Sequence, residues 1–395
     1  MISIAITGAA VITARLHSRR ELWNQVCSDR LLPDQQHSLE AIRQLAQLNG
    51  GEASMLSRQQ QLGLAAAELA WREAALPAER QPLRGERQPL QQQAWRLRAG
   101  VVSASALGDL SSLLHDQNVP GARPRPTSLS RWRGNALGAA LAVRFGLQGD
   151  QFNLNAASSS GAQAISLAAR MLDAGLLDLA LVVGAEPALP QLLLEANRCS
   201  GALASHGASQ PLSSERSGMV PREAAACLVL DPGERARERG VPALAQLSNS
   251  VSGCEAHHLV APLKGQGLSH ALLQRLFQDD AEAQASIDWL CLHATGTPKF
   301  DREEIGFVTR AFPNLPWISA MKRSLGHGLG AAGVVEAALV VEGLQRGQVP
   351  PWPAPLDPDL GLPIQPPGSP PTPHCALQLA SGMGGVVVMN LFKRV

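Results

Sequence analysis

Three segments rich in small residues each surround a side chain that is capable of nucleophilic or acid-base chemistry. The first is the stretch 155–161, in which Ser158 stands between a predicted strand and a predicted helix. Its small neighbours would let a substrate approach the backbone, and the start of the helix places unpaired N–H groups beside the serine oxygen. The segment therefore predicts a site for a nucleophile or an anion, unless one of its serines only caps the helix.

The second segment centres on a histidine at the end of an apolar run. His293 is followed by Thr295 and Thr297, and two acids, Asp301 and Glu304, come next. This order can aim one ring nitrogen and two hydroxyls into a single cleft. The alternative is a histidine satisfied within the core, with the two acids as ordinary first-turn residues of a helix.

The third segment, residues 322–333, begins with Lys322, contains His327 and enters a helix that carries Glu336. Many glycines and alanines around one histidine and one lysine indicate close packing against backbone or a ligand. A phosphate-binding loop is the rival interpretation. It fails because the lysine precedes the glycines and no Lys-Ser or Lys-Thr pair closes the run.

The elements that must position these segments follow an alternating pattern. Short apolar runs alternate with Ala/Leu-rich helical stretches, which predicts an α/β protein with strands buried between helices. We expect strands near 3–7, 100–103, 152–154, 179–184, 243–247 and 386–391, and helices near 56–75 and 164–175. We place an N-terminal lobe at 1–235 and a C-terminal lobe at 236–395. The repeat within 79–90 predicts a surface loop, and the proline-dense stretch 350–373 an extended surface crossing.

Composition narrows the class of protein. Hydrophobic residues make up 45% of the 395 residues and charged residues 17%, with a formal net charge of +1. These values argue against a disordered chain and against a nucleic-acid partner. No apolar run reaches the roughly 18 residues of a membrane span, and the first residues are typical of a strand rather than a leader. We therefore expect a soluble, cytoplasmic protein.

The cysteines predict no metal centre and no disulfide framework, because none of them forms a CxxC pair. We expect all six to be buried as small hydrophobic residues. They are Cys27, Cys199, Cys227, Cys254, Cys291 and Cys375.

Taken together, the three segments and the glycine-rich stretch 382–385 resemble one known pattern over nearly the whole chain. The β-ketoacyl-ACP synthases carry an elbow with a nucleophilic cysteine, a His-Gly-Thr-x-Thr-Pro segment, a Lys-x-x-x-Gly-His-x-x-Gly-Ala-Ala-Gly segment and a terminal gate loop. The resemblance implies a thiolase-like α/β fold with two similar lobes in a layered αβαβα arrangement. It also implies that Ser158 replaces the cysteine, Ala294 a glycine and Met383 a phenylalanine.

By this resemblance, the nucleophile position is taken by Ser158, the two enolate-stabilising histidines are His293 and His327, and the supporting residues are Lys322, Asp301, Glu304 and Glu336. Thr295 and Thr297 match the threonines that bind the phosphopantetheine arm. Gly382, Met383 and Gly384 match the gate loop, and the N–H groups of Ser158 and Met383 match the oxyanion hole. Arg222–Ala226 and His258–Pro262 depart from the family pattern, which suggests a specialised synthase.

Serine in place of cysteine changes the expected chemistry. A thiol near a helix N-terminus attacks as a thiolate, whereas a serine hydroxyl needs a histidine as base. One hypothesis is an acyltransferase that acts on carrier-bound acyl chains in fatty acid or polyketide biosynthesis. The others are a non-acylating partner similar to chain-length factors and a protein that only binds a small molecule.

The resemblance also implies partners. The acyl group would arrive on the phosphopantetheine arm of acyl carrier protein or on coenzyme A, with no tightly bound cofactor. We expect a dimer, either of two copies or with a cysteine-containing ketosynthase. Four arginines form a candidate docking patch for the acidic carrier protein: Arg123, Arg125, Arg131 and Arg133.

Overall fold

The computed structural model describes residues 3–13, 16–32, 36–83, 94–117, 123–278 and 280–395. The strands within these ranges are β1 (Ile4–Thr13), β2 (Ala99–Ala104), β3 (Gln151–Leu154), β4 (Leu179–Glu186), β5 (Ala224–Pro232), β6 (Ala245–Cys254), β7 (Trp289–Cys291), β8 (Trp317–Ser319), β9 (Cys375–Gly382) and β10 (Val386–Lys393). The helices are α1 (Arg19–Cys27), α2 (Leu39–Leu45), α3 (Gly50–Met55), α4 (Arg58–Glu73), α5 (Leu110–Gln117), α6 (Ser128–Trp132), α7 (Ala136–Phe145), α8 (Ser160–Asp173), α9 (Gln191–Cys199), α10 (Gly233–Glu238), α11 (Gly267–Phe277), α12 (Ala281–Ala285), α13 (Pro298–Ala311), α14 (Lys322–Leu325) and α15 (Ala332–Arg346).

The strands of the described ranges form one sheet whose two halves repeat each other. The order is β3-β2-β4-β5-β1-β6-β10-β9-β7-β8. In the first half, β2 pairs parallel with β3 and β4, and β5 pairs antiparallel with β4 and β1. In the second half, β7 and β10 make the same pairings with their neighbours. The halves meet where β1 pairs with β6.

The layering follows from which helices contact which strands. Helix α8 contacts β2 and β4 of the first half and β6 and β10 of the second, and α15 likewise contacts strands of both halves. Helices α4 and α7 cover the first half from outside, and α11 covers β6 and β10. This arrangement confirms the predicted α/β class with two similarly built halves and five layers. The lobe boundary at residue 235 stays a prediction.

The two central helices, α8 and α15, meet backbone to backbone at their N-terminal ends. A Cβ atom placed on Gly333 would lie 2.2 Å from the amide nitrogen of Ala162, a distance that no side chain tolerates. The glycines of the third segment therefore let α15 approach the start of α8. This contact brings the segments of Ser158 and His327 together.

Most predicted elements are confirmed, with longer bounds in several cases. The first strand extends to Thr13 rather than residue 7, and the stretch 350–373 holds no regular element except a short 3-10 helix, Pro358–Leu360. The predicted loop 79–90 lies partly outside the described residues, which end at 83 and resume at 94. Among the described residues, no helix combines the length and the apolar character needed to cross a bilayer.

The prediction that all six cysteines are buried is wrong for three of them. Cys199 and Cys254 are exposed and Cys27 is partly exposed. Cys199 ends α9, a helix with no buried residue, and Cys254 ends β6 beside the glycine-rich stretch. Because both positions lie at the ends of elements, neighbouring side chains do not cover them. Cys227, Cys291 and Cys375 are buried in strands as expected.

Candidate active site

The predicted site residues follow the carboxyl ends of strands. Ser158 follows β3, His293 follows β7, Lys322 follows β8 and Met383 follows β9. Parallel strands place their carboxyl ends along the same edge of a sheet, and the duplicated topology turns the two edges toward each other around α8 and α15.

The turn that carries Ser158 is strained and internally bonded. Ala157 has a φ of 50°, in the left-handed region that alanine rarely adopts. Ser160 Oγ accepts the N–H of Ala156 at 2.8 Å. Ser159 occupies the N-cap position of α8, but its side chain makes no capping hydrogen bond. The alternative that a serine caps the helix is therefore wrong for Ser159.

The Ser158 hydroxyl meets the ring of His327. The distance between Ser158 Oγ and His327 Nε2 is 3.0 Å. His327 Nδ1 lies 3.2 Å from the amide nitrogen of Leu329, and because a backbone N–H only donates, Nδ1 must accept. A neutral ring that accepts at Nδ1 carries its proton on Nε2. His327 therefore donates to Ser158, and it holds no free lone pair at Nε2 to remove the serine proton.

His293 lies beside His327 with its main chain held on both sides. The two ring centroids are 5.8 Å apart in an edge-to-face arrangement. The His293 N–H donates to Glu304 Oε1 at 2.6 Å, and its carbonyl oxygen accepts from Lys322 Nζ at 2.6 Å. His293 Nδ1 is buried and has no hydrogen-bond partner among the described residues. The unpartnered ring nitrogen argues against the alternative of a satisfied core histidine.

The two acids that follow His293 accept hydrogen bonds from backbone N–H groups. Glu304 also accepts the N–H of Ala294 at 2.8 Å, and Asp301 accepts the N–H groups of Gly296 and Leu212 at 3.1 and 2.9 Å. Burial raises the pKa of Asp301 to about 6 and that of Glu304 to about 7. These contacts hold Ala294 at a φ of 34°, in the left-handed region that a residue with a Cβ atom rarely adopts.

Lys322 and Glu336 form a buried ion pair behind the histidines. Lys322 Nζ lies 2.5 Å from Glu336 Oε1, and each side chain is 2% exposed. Burial raises the pKa of Glu336, and the ammonium group opposes that rise. Since the same ammonium group binds the carbonyl of His293, the pair fixes that histidine from behind.

The glycine-rich stretch passes directly over the Ser158 turn. A Cβ atom on Gly382 would lie 2.6 Å from the carbonyl oxygen of Ala156 and 2.8 Å from Ser159 Oγ, so only glycine allows this approach. Met383 is 40% exposed at the surface. Gly384 has a φ of 91°. The predicted oxyanion hole and gate role of this stretch stay predictions.

The two threonines of the second segment lie between β7 and α13. Thr295 is buried, and its Oγ1 accepts the N–H of Thr297 at 3.3 Å. Thr297 precedes α13, whose first residue is Pro298. Their predicted contact with a phosphopantetheine arm stays a prediction.

The arginine patch is less uniform than predicted. Arg123, Arg125 and Arg133 are exposed, whereas Arg131 is partly buried and pairs with Asp116 at 3.2 Å. Arg131 is therefore committed to a local contact rather than free to meet a partner. The role of the other three in docking stays a prediction.

Both histidines are neutral at physiological pH. Burial, with the nearby Lys322 charge, lowers the pKa of His293 and of His327 well below the usual 6.5, and His327 further lowers that of His293. In the unfolded chain both rings gain a proton as the pH falls below about 6.5. The unfolded state then binds more protons than the folded state, so stability is lost as the pH falls toward the folded-state pKa values.

We therefore expect the free energy of unfolding to fall by about 1 kcal/mol per histidine between pH 6.5 and 5.5, beyond the effect of other groups. Urea unfolding at both pH values measures it. The double variant His293→Gln, His327→Gln serves as the reference, since it lacks these two rings and keeps Asp301 and Glu304. Equal pH slopes for the variant and the unaltered protein would show that the rings are not held neutral.

Two contributors to the site were not predicted from the sequence. The N–H of Leu329 sets the proton position of His327, and Glu186 accepts N–H groups from both sides of the site. The sequence could have indicated Glu186, because it is an acid that directly follows the apolar run 179–185. It could not have indicated Leu329, because Leu329 acts through its backbone N–H rather than its side chain.

Comparison with known families agrees with this geometry. The profile described as "Beta-ketoacyl synthase, N-terminal domain" matches residues 35–236, and "Beta-ketoacyl synthase, C-terminal domain" matches residues 244–354. The chain is 31% identical over 272 residues to nodulation protein E of Rhizobium meliloti, which covers 66% of each chain. It spans 46% to 66% of the length of the curated relatives it matches.

Two solved structures share the fold over the whole chain. A β-ketoacyl synthase from Burkholderia phymatum superposes with a TM-score of 0.83 at 21% identity, over 100% of both chains. The ishigamide ketosynthase/chain length factor superposes with a TM-score of 0.82 at 21% identity, over 100% of this chain and 99% of that one. The fold is thus thiolase-like.

Proposed function

The chain belongs to the β-ketoacyl synthase family, and we propose that it acts on acyl thioesters in fatty acid or polyketide biosynthesis, with Ser158 at the nucleophile position. The acyl group arrives on the phosphopantetheine arm of acyl carrier protein or on coenzyme A. The protein works as a dimer in the cytoplasm. It needs no tightly bound cofactor, because the chemistry below uses its own side chains.

The observation that carries this proposal is the approach of His327 Nε2 to Ser158 Oγ at 3.0 Å, with the ring of His293 5.8 Å from that of His327. Both rings are buried and neutral, so their N–H groups are oriented donors rather than solvated cations. Fixed donors in a buried site stabilise an oxygen on which negative charge develops. The site therefore suits a reaction that passes through an oxyanion or an enolate.

Decarboxylation of a malonyl thioester is such a reaction. The bond from the α-carbon to the carboxylate breaks, CO2 leaves, and the electron pair passes onto the thioester oxygen as an enolate. N–H groups of His293 and His327 donate to that oxygen. The α-carbon then takes a proton to give an acetyl thioester, or attacks an acyl group on Ser158 Oγ. In the second case the serine oxygen leaves and regains a proton.

Acylation of Ser158 is the slower half of this scheme. His327 donates to Ser158 in the arrangement described, so the ring has to move its proton to Nδ1 before it can act as base. That change breaks the bond with the N–H of Leu329. We therefore place decarboxylation ahead of condensation in rate.

Incubation with malonyl-ACP or malonyl-CoA tests the proposal. We expect the protein alone to form the acetyl thioester, detected by mass spectrometry, and Ser158→Ala to retain this activity. Replacing His327 by Ala should lower the rate by about 100-fold, because one oriented donor is typically worth that much. Intact mass after incubation with acyl-ACP reports any adduct on Ser158. No turnover and no adduct on the protein alone would contradict the proposal.

A second candidate is a non-acylating partner similar to chain-length factors. The donation from His327 to Ser158 favours it, because a serine that accepts a hydrogen bond from a neutral ring is not activated for attack. This candidate predicts activity only after mixing with a cysteine-containing ketosynthase. Failure to co-purify with any such subunit would count against it, as would turnover by the protein alone.

A further inference from the structure

Glu186 is a buried acid that none of the steps above uses. It ends β4 and is 0% exposed. Its Oε2 accepts the N–H of Ala106 at 2.7 Å and the N–H of Gly330 at 3.2 Å, and Ser105 Oγ lies 3.5 Å from its Oε1. The two backbone donors come from chain segments far apart in sequence. A single carboxyl group therefore connects the loop after β2 with the segment that carries His327.

Each of these segments reaches one half of the candidate site. On one side, Ser160 Oγ lies 3.1 Å from the carbonyl oxygen of Ser105 and 2.6 Å from that of Ala157, and it accepts the N–H of Ala156 in the Ser158 turn. On the other side, Gly330 directly follows Leu329, whose N–H binds His327 Nδ1. Displacement of either segment would alter the bond between His327 and Ser158.

We infer that Glu186 is a positioning residue that holds the Ser158 turn and the Leu329–Gly330 backbone in register, and thereby keeps the His327 proton on Nε2. It touches neither the serine nor the histidine. It acts through the backbone of Ala106 and Gly330. The inference concerns the same site as the proposed function, and its test reads the ring of His327 rather than turnover, so the two can fail separately.

The contact pattern fits a carboxyl group that is neutral near pH 7. Both N–H donors converge on one oxygen, Oε2, and the other oxygen faces the Ser105 hydroxyl. Burial raises the pKa of Glu186 to about 8 against its backbone hydrogen bonds, and the nearby Asp109 carboxyl adds to the rise. An amide has the same shape as a neutral carboxyl group. Glutamine at this position should therefore preserve the contacts, whereas leucine would leave two buried N–H groups unpaired.

Nitrogen NMR of the full-length protein labelled with 15N-histidine tests the inference at pH 7. We expect the protein and Glu186→Gln to show a single His327 signal pair with the proton on Nε2. Glu186→Leu should shift both nitrogen signals toward an average of the two neutral tautomers. The matched control is Asp231→Asn, which alters another buried acid. Glu186 pairs with the first residue of β5, whereas Asp231 lies near the last, so this variant should leave the His327 signals unchanged.

A second measurement follows the His327 nitrogen signals between pH 7 and 10 and does not depend on the stability of Glu186→Leu. Ionisation of Glu186 should move the His327 signals with a midpoint near pH 8, the value to which burial raises the Glu186 pKa, and Glu186→Gln should abolish that step. Asp109 also lies near Glu186, so the step is assigned by its loss in Glu186→Gln and its persistence in Asp109→Asn. An Nε2 proton retained in folded Glu186→Leu would overturn the inference. So would a pH step in the His327 signals that persists in Glu186→Gln.

Discussion

Replacing Ser158 by cysteine should make the protein form a stable acyl adduct, at a rate at least about 100-fold above any acylation of the serine. A thiol at a helix N-terminus has its pKa lowered to roughly 3.5–7.5, so it attacks as a thiolate and needs no base. His327 then favours the reaction, because its Nε2–H, which lies 3.0 Å from Ser158 Oγ, can donate to a thiolate at that position. Intact mass spectrometry after incubation with acyl-ACP or acyl-CoA measures the adduct and its rate.

The matched control is Ser159→Cys, one residue along the same turn. The Ser159 side chain binds the carbonyl of Ala156 and is buried, so a thiol there has no path to a substrate. We expect no adduct on this variant. Absence of an adduct on Ser158→Cys, in a protein that still folds, would show that this position does not meet the acyl group. Equal labelling of both variants would show general thiol reactivity instead.

Much of the fold followed from local pattern. Buried strands appear as continuous apolar runs, and the helices between them carry alanine and leucine, so the order of the elements could be predicted. Their pairing could not. The partner of β1 within the first half is β5, more than 200 residues away in the chain, with the register Ile4 to Pro232. Both strands are buried and mostly apolar, so their hydrophobic pattern alone does not specify that partner.

The candidate site was predicted residue by residue, but its proton positions were not. Spacing and resemblance placed Ser158, His293 and His327 in one cleft, and the structure brings His327 to Ser158 and His293 to His327. The direction of the hydrogen bond depends on the N–H of Leu329, a backbone group that every residue except proline possesses. The sequence carries no signal for such a group, so the donor role of His327 follows only from the folded structure.

The structure also changes the role assigned to the two acids of the second segment. Asp301 and Glu304 were predicted as supporting residues of the catalytic set, and the structure shows their carboxyl groups on backbone N–H groups. Their effect on chemistry is therefore exerted through the position of His293. We propose that they are positioning residues and do not contact the reacting atoms.

Removal of the ammonium group of Lys322 should have the largest effect on stability. Lys322→Met leaves the carboxyl group of Glu336 buried without its partner, and breaking one side of a buried ion pair typically costs about 3–5 kcal/mol. Both side chains are 2% exposed, so water cannot replace the lost contact. Urea unfolding at pH 7 measures the change in the free energy of unfolding.

The double variant Lys322→Met, Glu336→Leu separates the two roles of the lysine. It removes both charges, and apolar replacement of a buried pair is often close to neutral, so most of the stability should return. The remaining deficit, about 1 kcal/mol, corresponds to the lost hydrogen bond from Lys322 Nζ to the carbonyl of His293. We expect the refolded double variant to remain impaired in malonyl decarboxylation, because His293 is no longer held from behind. Full activity in the double variant would show that the pair stabilises the fold without positioning the histidine. An equal loss of stability in both variants would show that the buried carboxyl group of Glu336 is not the source of the lost free energy of unfolding.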